Sequence, residues 1–296
     1  MKYLLISSAL ILLGCETVIT VDMPKTKPKI VVDGVFNPDS VWAVKISLSQ
    51  HVLNGTRYEH DWIEDNEIKE ITIRDENNTL IESLQYKDKK SDYFIDRYYK
   101  GKSKPSPNKS YKLEILTASY GTVTASDAAP PSVPIASARI DSTSEADSKI
   151  VRIEFSDDGN TADYYEIYLI GYSIESYYIK GYDNPPQKRR SYGKAGFIIK
   201  DDPAYEDRIT NYETLIFDDA LFNGKKATFN LKKDSFRTPT QVVLRHISAD
   251  FYKFAVSKKT QKENEENPFS EPVFIQGNVQ DGFGIFAGYS VSVYQL

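Results

Sequence analysis

The sequence holds few side chains of the kinds that carry out catalysis. Its three histidines, His51, His60 and His246, do not stand at a metal-ligand spacing such as two histidines four apart on a helix. The sequence shows neither a glycine-rich phosphate loop nor a Gly-x-Ser-x-Gly nucleophile elbow, and Cys15 is its only cysteine. We therefore expect a protein without catalytic residues, bound metal or cofactor, in which the histidines have structural roles.

Paired carboxylates are the next candidates, at Asp157-Asp158, Asp201-Asp202 and Asp218-Asp219. Adjacent residues on a strand point to opposite faces, so a doublet does not supply the facing carboxylates that glycoside hydrolysis requires. The segment 157–160 reads Asp-Asp-Gly-Asn but lacks the alternating oxygen ligands of a calcium loop. A solvated turn is the simpler interpretation, and a hydrolase that uses one of these acids is the third-ranked hypothesis.

Tyrosine is abundant, with 21 residues, and is densest in one stretch of the second half. The candidate binding residues of this stretch are Tyr164, Tyr165, Tyr168, Tyr172, Tyr177, Tyr178 and Tyr182. Tyrosine offers rigid contact area with a polar tip and is favoured at interfaces, so the stretch could form an aromatic binding face. The alternative is ordinary packing of alternate tyrosines against neighbouring strands.

The N-terminus has the layout of an export signal, with a basic residue, an apolar run at 4–13 and a small residue before Cys15. The run is about ten residues long, whereas a membrane-spanning helix needs roughly 20. Leu12-Leu13-Gly14-Cys15 resembles the bacterial lipobox, which predicts removal of residues 1–14 and lipidation of Cys15. The alternative is a buried structural cysteine. Residues 15–28 contain two prolines that interrupt a helix, and we predict that they form a tether.

The net charge and the cysteine count of the chain limit its possible partners and the interactions that can stabilise its fold. A net charge of -5 over 296 residues disfavours nucleic acid, because proteins that bind nucleic acid carry a clustered basic face. The short basic run Lys188-Arg189-Arg190 is expected to be a solvated loop. Once Cys15 carries lipid, no thiol remains for a disulfide, so stability must come from buried cores.

The rest of the chain shows the pattern of a mainly β protein. Between residues 29 and 127, short apolar-rich or alternating runs are separated by turn-forming residues. About seven strands over this length predict an immunoglobulin-like β-sandwich. The proline-rich segment 128–134 is predicted to be a stiff connector. Residues 135–296 are predicted to form a second β-rich domain.

One segment of the second domain has helical rather than extended spacing. Phe251 and Phe254 recur at a helical interval within residues 248–263, and the end of this segment is strongly polar. Ser248 and Asp250 are both suitable N-cap residues. The sequence therefore predicts one helix in a domain that is otherwise built from strands.

Short motifs along nearly the whole chain resemble those of a family of Bacteroidota outer-membrane lipoproteins, the domain-of-unknown-function 4249 family. They lie at residues 15–16, 21–24, 29–34, 108–113, 155–157, 164–167, 217–219, 222–225, 267–273, 277–279 and 282–286. Their order and spacing carry the resemblance, since each motif alone is weak. The resemblance implies an accessory lipoprotein for nutrient uptake through a TonB-dependent receptor, and it implies no catalytic residues.

The first functional hypothesis is a non-enzymatic, lipid-anchored outer-membrane protein that is an accessory or substrate-binding partner of a TonB-dependent transporter. The alternative is a structural or adhesive cell-surface lipoprotein in which the sandwich is a spacer. Glu16 is the only acidic residue close after Cys15, so the periplasmic and the cell-surface face of the membrane both stay open.

Overall fold

The computed structural model of the chain describes residues 27–50, 63, 66–90, 95–142, 149–177, 186–199, 208–210, 213–264, 270–271 and 273–296. Cys15, the predicted signal and most of the predicted tether lie outside these residues. The other sequence candidates outside the described residues are Tyr178, Tyr182, His51, His60, Asp201 and Asp202.

The first half of the chain folds into short strands whose side chains alternate between buried and exposed positions. The strands are β1 (Ile30–Phe36), β2 (Ala43–Leu48), β3 (Ile68–Asp75), β4 (Leu80–Ser83), β5 (Gln85–Lys90), β6 (Ile95–Lys100), β7 (Ser110–Thr117) and β8 (Thr122–Ala128). In β1, for example, Ile30, Val32 and Phe36 are buried whereas Asp33 is exposed. This period of two is expected of a strand that has one face against a core.

The second half contains the remaining strands and a helix. These are β9 (Ile135–Ser142), β10 (Lys149–Ser156), β11 (Tyr164–Tyr177), β12 (Gln187–Ala195), β13 (Phe197–Ile198), β14 (Ile209–Thr210), β15 (Thr214–Asp218), β16 (Lys226–Lys233), β17 (Thr238–Ile247), α1 (Ala249–Asn264) and β18 (Phe283–Gln295). The mainly β fold class, with sandwiched sheets and one helix in the described residues, is confirmed.

Two sheets enclose the core of the N-terminal sandwich. One has the strand order β5-β6-β2-β1, and the other has the order β4-β3-β7-β8. Ile46 of β2 lies in the same buried cluster as Ile73 of β3 and Ile115 of β7. Trp42 is also fully buried there, and its ring lies 4.8 Å from that of Tyr111 in an edge-on arrangement. The two sheets thus share one hydrophobic core.

The C-terminal sandwich has its own core. One sheet has the order β14-β15-β11-β17-β18, with β12 also paired to β11, and the other has the order β13-β16-β10-β9. Phe155 of β10 contacts Tyr165 of β11 at a ring distance of 5.0 Å. Phe217 of β15 and Phe229 of β16 are 4.7 Å apart. These aromatic pairs join the two sheets across the core.

Strand β18 belongs to both sandwiches. Its first half, 283–288, pairs in parallel with residues 31–36 of β1, and Phe286 enters the N-terminal core. Its second half, 289–295, pairs antiparallel with residues 241–247 of β17. One sheet therefore continues from the N-terminal sandwich into the C-terminal one. The sequence analysis had placed the residues of β18 in the second domain alone.

The predicted connector is held against the sheet along its length. The Pro131 carbonyl oxygen accepts a hydrogen bond from the Ser290 hydroxyl at 2.9 Å and lies 2.8 Å from Nδ1 of His246. Ala129 is fully buried. Together with β18, these contacts fix the two sandwiches relative to each other.

A half-buried carboxylate completes this junction. Asp127 accepts hydrogen bonds from the Ser248 hydroxyl, from the Gly288 N–H at 3.0 Å and from the Ala128 N–H at 2.8 Å. Burial raises the pKa of Asp127, although these hydrogen bonds oppose the change. A Cβ on Gly288 would lie 2.4 Å from the backbone of Ala128, so only glycine allows the close approach at this point.

Helix α1 begins where the sequence predicted. The Ser248 side-chain oxygen accepts a hydrogen bond from the Phe251 N–H at 3.2 Å, which is the N-cap interaction. Ser248 rather than Asp250 is therefore the cap, and the helix spans Ala249–Asn264. No helix among the described residues is long and apolar enough to cross a membrane.

Candidate functional site

Strand β11 divides the predicted tyrosine candidates between two faces. Tyr165 is fully buried in the C-terminal core, as expected of one row of an alternating strand. Tyr164, Tyr168 and Tyr172 lie in the other row and are half-buried. Tyr177 lies in the row of Tyr165 but at the far end of the strand, where it is 39% exposed. The candidates therefore do not form one continuous surface.

Strand β12 extends the outer row of β11. Residues that pair across antiparallel strands have side chains on the same face, and Tyr172 pairs with Tyr192 while Ile174 pairs with Arg190. The surface formed in this way comprises Tyr168, Tyr172, Lys188, Arg190, Tyr192 and Lys194, and we call it the basic-aromatic face. The run Lys188-Arg189-Arg190 was predicted to be a solvated loop, and this prediction is wrong because the run lies within β12.

Cations lie over the tyrosine rings of the basic-aromatic face. Lys194 Nζ is 4.6 Å from the centre of the Tyr168 ring and donates a hydrogen bond to the Thr214 hydroxyl at 2.8 Å. The Arg190 guanidinium is 4.6 Å from the centre of the Tyr172 ring. These distances are typical of cation–π contacts, so each ring helps to fix the position of a positive charge.

Arg245 anchors the centre of this sheet surface. It pairs with Glu166 at 2.8 Å and lies 5.1 Å from the Tyr168 ring and 4.4 Å from the Tyr289 ring. Burial alone would lower the pKa of Arg245, but Glu166, Tyr168 and Tyr289 together outweigh burial and the pKa is raised. Burial also raises the pKa of Tyr168. Arg245 therefore contacts Glu166 and both tyrosine rings and links them on this surface.

Helix α1 covers one end of the outer row and leaves the other end open. The Tyr252 ring stacks on Tyr164 at 4.6 Å, and its hydroxyl donates to Asp218 at 3.2 Å. At the opposite end of the row, Ile174 is 55% exposed and Tyr192 is 61% exposed. The accessible part of the surface is thus the basic-aromatic face around Tyr172 and Tyr192.

The inner row faces a cluster of three acids, two of which, Asp157 and Asp219, belong to the acidic doublets of the sequence, although the sequence did not predict that they meet. Carboxylate oxygens of Asp157, Asp163 and Asp219 all lie within 4.8 Å of one another. The Tyr165 hydroxyl donates to Asp157 at 2.6 Å, and the Asp163 N–H donates to Asp219 at 2.9 Å. Burial and then the hydrogen bond to Asp157 raise the pKa of Tyr165, so its hydroxyl stays a neutral donor.

His246 links this acid cluster to the connector. One ring nitrogen lies 3.1 Å from the Asp163 carboxylate and the other lies 2.8 Å from the Pro131 carbonyl oxygen. Asp163 also accepts from the Thr161 hydroxyl at 3.0 Å. The imidazole thus bridges the Asp163 carboxylate of the acid cluster and the backbone of the connector.

The loops that carry two of the acids meet backbone to backbone. The Gly224 N–H donates to Asp157 at 2.8 Å, and a Cβ on Gly159 would lie 2.8 Å from the Gly224 Cα. Gly224 has φ +69, which favours glycine. In the predicted solvated turn, Asp158 does accept from the Asn160 N–H at 3.2 Å, whereas Asp157 points inward.

Three carboxylates at this spacing are of the type that calcium prefers as ligands. Each already accepts a hydrogen bond from the protein: Asp157 from Tyr165, Asp163 from Thr161 and Asp219 from a backbone N–H. We interpret the cluster as a clamp that joins β10, β15, β17 and the connector. The basic-aromatic face is then the candidate for binding.

A family model matches nearly the whole chain. The family model described as Domain of unknown function (DUF4249) matches residues 16–295. No curated protein matches the chain. The matched range includes both sandwiches, the acid cluster and the basic-aromatic face.

Proposed function

The chain belongs to the DUF4249 family, and from that premise we propose that it is a lipid-anchored outer-membrane protein that binds substrate for a TonB-dependent transporter. The observation that carries the proposal is the open basic-aromatic face, which is built on a rigid sheet. Tyrosine and arginine are enriched in the cores of interfaces and among the residues that dominate binding energy. The proposal assigns no catalytic step to this face.

The N-terminal sequence supports the anchoring part of the proposal. Lipid attached to Cys15 would hold the protein at a membrane, because each buried methylene contributes about 0.8 kcal/mol and a second acyl chain makes attachment stable. The predicted tether 15–28 leads directly into β1, which is next to β18 in the continuous sheet. An anchored protein of this shape would extend both sandwiches from the membrane as one unit.

A structural or adhesive role is the second candidate, and a specific observation favours it. Strand β18 and the connector contacts of Pro131 hold the two sandwiches in one fixed arrangement. A rigid spacer needs such a junction, whereas a binding protein needs only one of the sandwiches. The spacer hypothesis predicts neither a small ligand nor a stable receptor complex.

A pull-down in mild detergent tests the proposed function. The full-length protein is purified from native outer membranes, with Cys15→Ala as the control, and its partners are identified by mass spectrometry. We expect a stoichiometric TonB-dependent receptor that is lost in the control. Intact lipidation without any receptor would contradict the transport proposal and favour the spacer.

A further inference from the structure

The basic-aromatic face is positively charged, although the chain as a whole has a net charge of -5. Strand β12 contains Lys188, Arg190 and Lys194 in the row that faces outward, and it contains no acidic residue. In the outer row of β11 the one acidic residue is Glu166, and its carboxylate already pairs with Arg245. The face is therefore suited to an anionic ligand.

Two adjacent arginines show which side of the β11–β12 ribbon is available. Arg189 points to the inner side, where it pairs with Glu175 at 3.2 Å. Arg190 lies on the outer side over the Tyr172 ring and forms no ion pair among the described residues. Its guanidinium therefore keeps donors for a carboxylate, whose two oxygens match the planar fork of arginine.

Apolar surface lies directly beside these cations. Ile174 and Tyr192 are 55% and 61% exposed, and the rings of Tyr172 and Tyr192 lie 6.0 Å apart across the two strands. A simple inorganic anion would leave this surface in contact with water. A ligand that carries both an anionic group and flat apolar faces would cover it.

The size of the face indicates a small ligand. From Tyr168 to Ile174 the strand extends about 20 Å, and the two strands that contribute, β11 and β12, span about 10 Å across. This surface is on the order of 200 Å², whereas a stable protein interface buries about 800 Å² on each partner. A few linked sugar rings fit an area of this size better than a folded protein does.

We propose that the basic-aromatic face binds an acidic oligosaccharide, whose carboxylates pair with Arg190 and Lys188 and whose C–H faces lie against Tyr172 and Tyr192. This inference names the substrate class of the proposed substrate-binding role and rests on that role. Arg189 takes no part in binding, because its ion pair with Glu175 holds it on the inner side of the β11–β12 ribbon.

Binding is measured by calorimetry with the full lipidated chain in detergent. The probes are tetrasaccharides of galacturonate, glucuronate and mannuronate, each compared with its carboxyl-reduced neutral counterpart. We expect at least one acidic probe to bind with a Kd below about 1 mM. Its neutral counterpart should bind at least about 10-fold more weakly, because the charge-assisted hydrogen bonds are lost.

Adjacent arginines supply a matched pair of variants. Arg190→Gln should weaken binding about 10-fold, whereas Arg189→Gln removes the same charge one residue away and should change the affinity less than about 2-fold. Thermal unfolding of both variants checks that each is folded. Tyr192→Ala tests the apolar contact separately and should also weaken binding.

Three results would overturn the assignment: no acidic probe binds, the neutral counterpart binds equally well, or both arginine variants lose affinity equally. Single-stranded DNA of the same charge is an additional probe, and equally tight binding would show a general polyanion surface instead. No transporter is present in these titrations. A receptor that copurifies while no saccharide binds would therefore refute the ligand assignment and leave the transport proposal intact.

Discussion

The two faces of β11 use tyrosine in opposite electrostatic surroundings. On the inner face, the Tyr165 hydroxyl donates to a carboxylate inside the acid cluster. On the outer face, the rings of Tyr168 and Tyr172 lie beneath Lys194 and Arg190. Tyr165 therefore stabilises the fold through its hydroxyl, whereas Tyr168 and Tyr172 position positive charges through their rings. The inner contacts should thus control stability, and the outer contacts should control binding.

The largest expected effect comes from breaking the inner cluster. Asp163→Ala should lower the free energy of unfolding by about 3 kcal/mol, because His246 and Thr161 lose a buried acceptor. Urea denaturation measures the change. Asp158→Ala, in the exposed turn, is the control and should cost less than about 1 kcal/mol. A gain in stability for Asp163→Ala would show that repulsion among the three carboxylates outweighs their hydrogen bonds.

A smaller effect separates the two rows of tyrosines directly. Tyr165→Phe keeps the ring but removes the hydrogen bond to Asp157, and it should cost about 1–2 kcal/mol. Tyr172→Phe keeps the ring that lies under Arg190 and should change stability by less than about 0.5 kcal/mol. Equal losses in the two variants, measured in the same denaturant series, would remove the distinction between the rows.

Alkaline pH should act through the inner face as well. Tyr165 ionises near 10.0 when unfolded, but burial and then Asp157 raise its pKa in the folded protein. In this pH range Tyr165 keeps its proton in the folded state after it has lost it in the unfolded state. The contribution of Tyr165 to the free energy of unfolding is therefore fully present below pH 10.0 and falls as the pH rises further. Tyr165→Phe should make this fall less steep than it is in the wild type. An unchanged slope between about pH 9 and about pH 11 would contradict the assigned role.

The smallest expected effect on stability belongs to the outer face. Arg190→Glu should change the free energy of unfolding by less than about 0.5 kcal/mol, because Arg190 is at the surface and forms no ion pair within the described residues. The same variant should abolish binding of acidic saccharides, since it reverses the local charge. Stability that falls sharply in Arg190→Glu would assign a structural role to the outer face too.

The division of β11 could be predicted from the sequence. Adjacent tyrosines on a strand must point in opposite directions, and Tyr165 shares its row with Ile167 and Leu169 whereas Tyr164 shares its row with Glu166. This pattern already indicates which row is inward. The strands and the Ser248 cap follow from similarly local signals, which depend on a few neighbouring residues.

The acid cluster and the shared strand could not be predicted in the same way. Asp157, Asp163 and Asp219 approach one another because β10, β11 and β15 meet in the C-terminal sandwich, and no local spacing records that approach. The pairing of β18 with β1 likewise joins opposite ends of the chain. Strand β12 was missed because its basic run has no apolar row, and its pairing with β11 overrides this composition.

Hydrogen–deuterium exchange of the full lipidated chain, with and without the tightest-binding acidic tetrasaccharide, tests the division of β11 most directly. We expect new protection in 187–195 of β12 and in 168–174 of β11. Protection of the acid-cluster loops at 157–163 and 219–225 should stay unchanged. Ligand-dependent protection confined to those loops, with β12 unaffected, would show that the ligand binds at the inner face of β11 and not at the outer one.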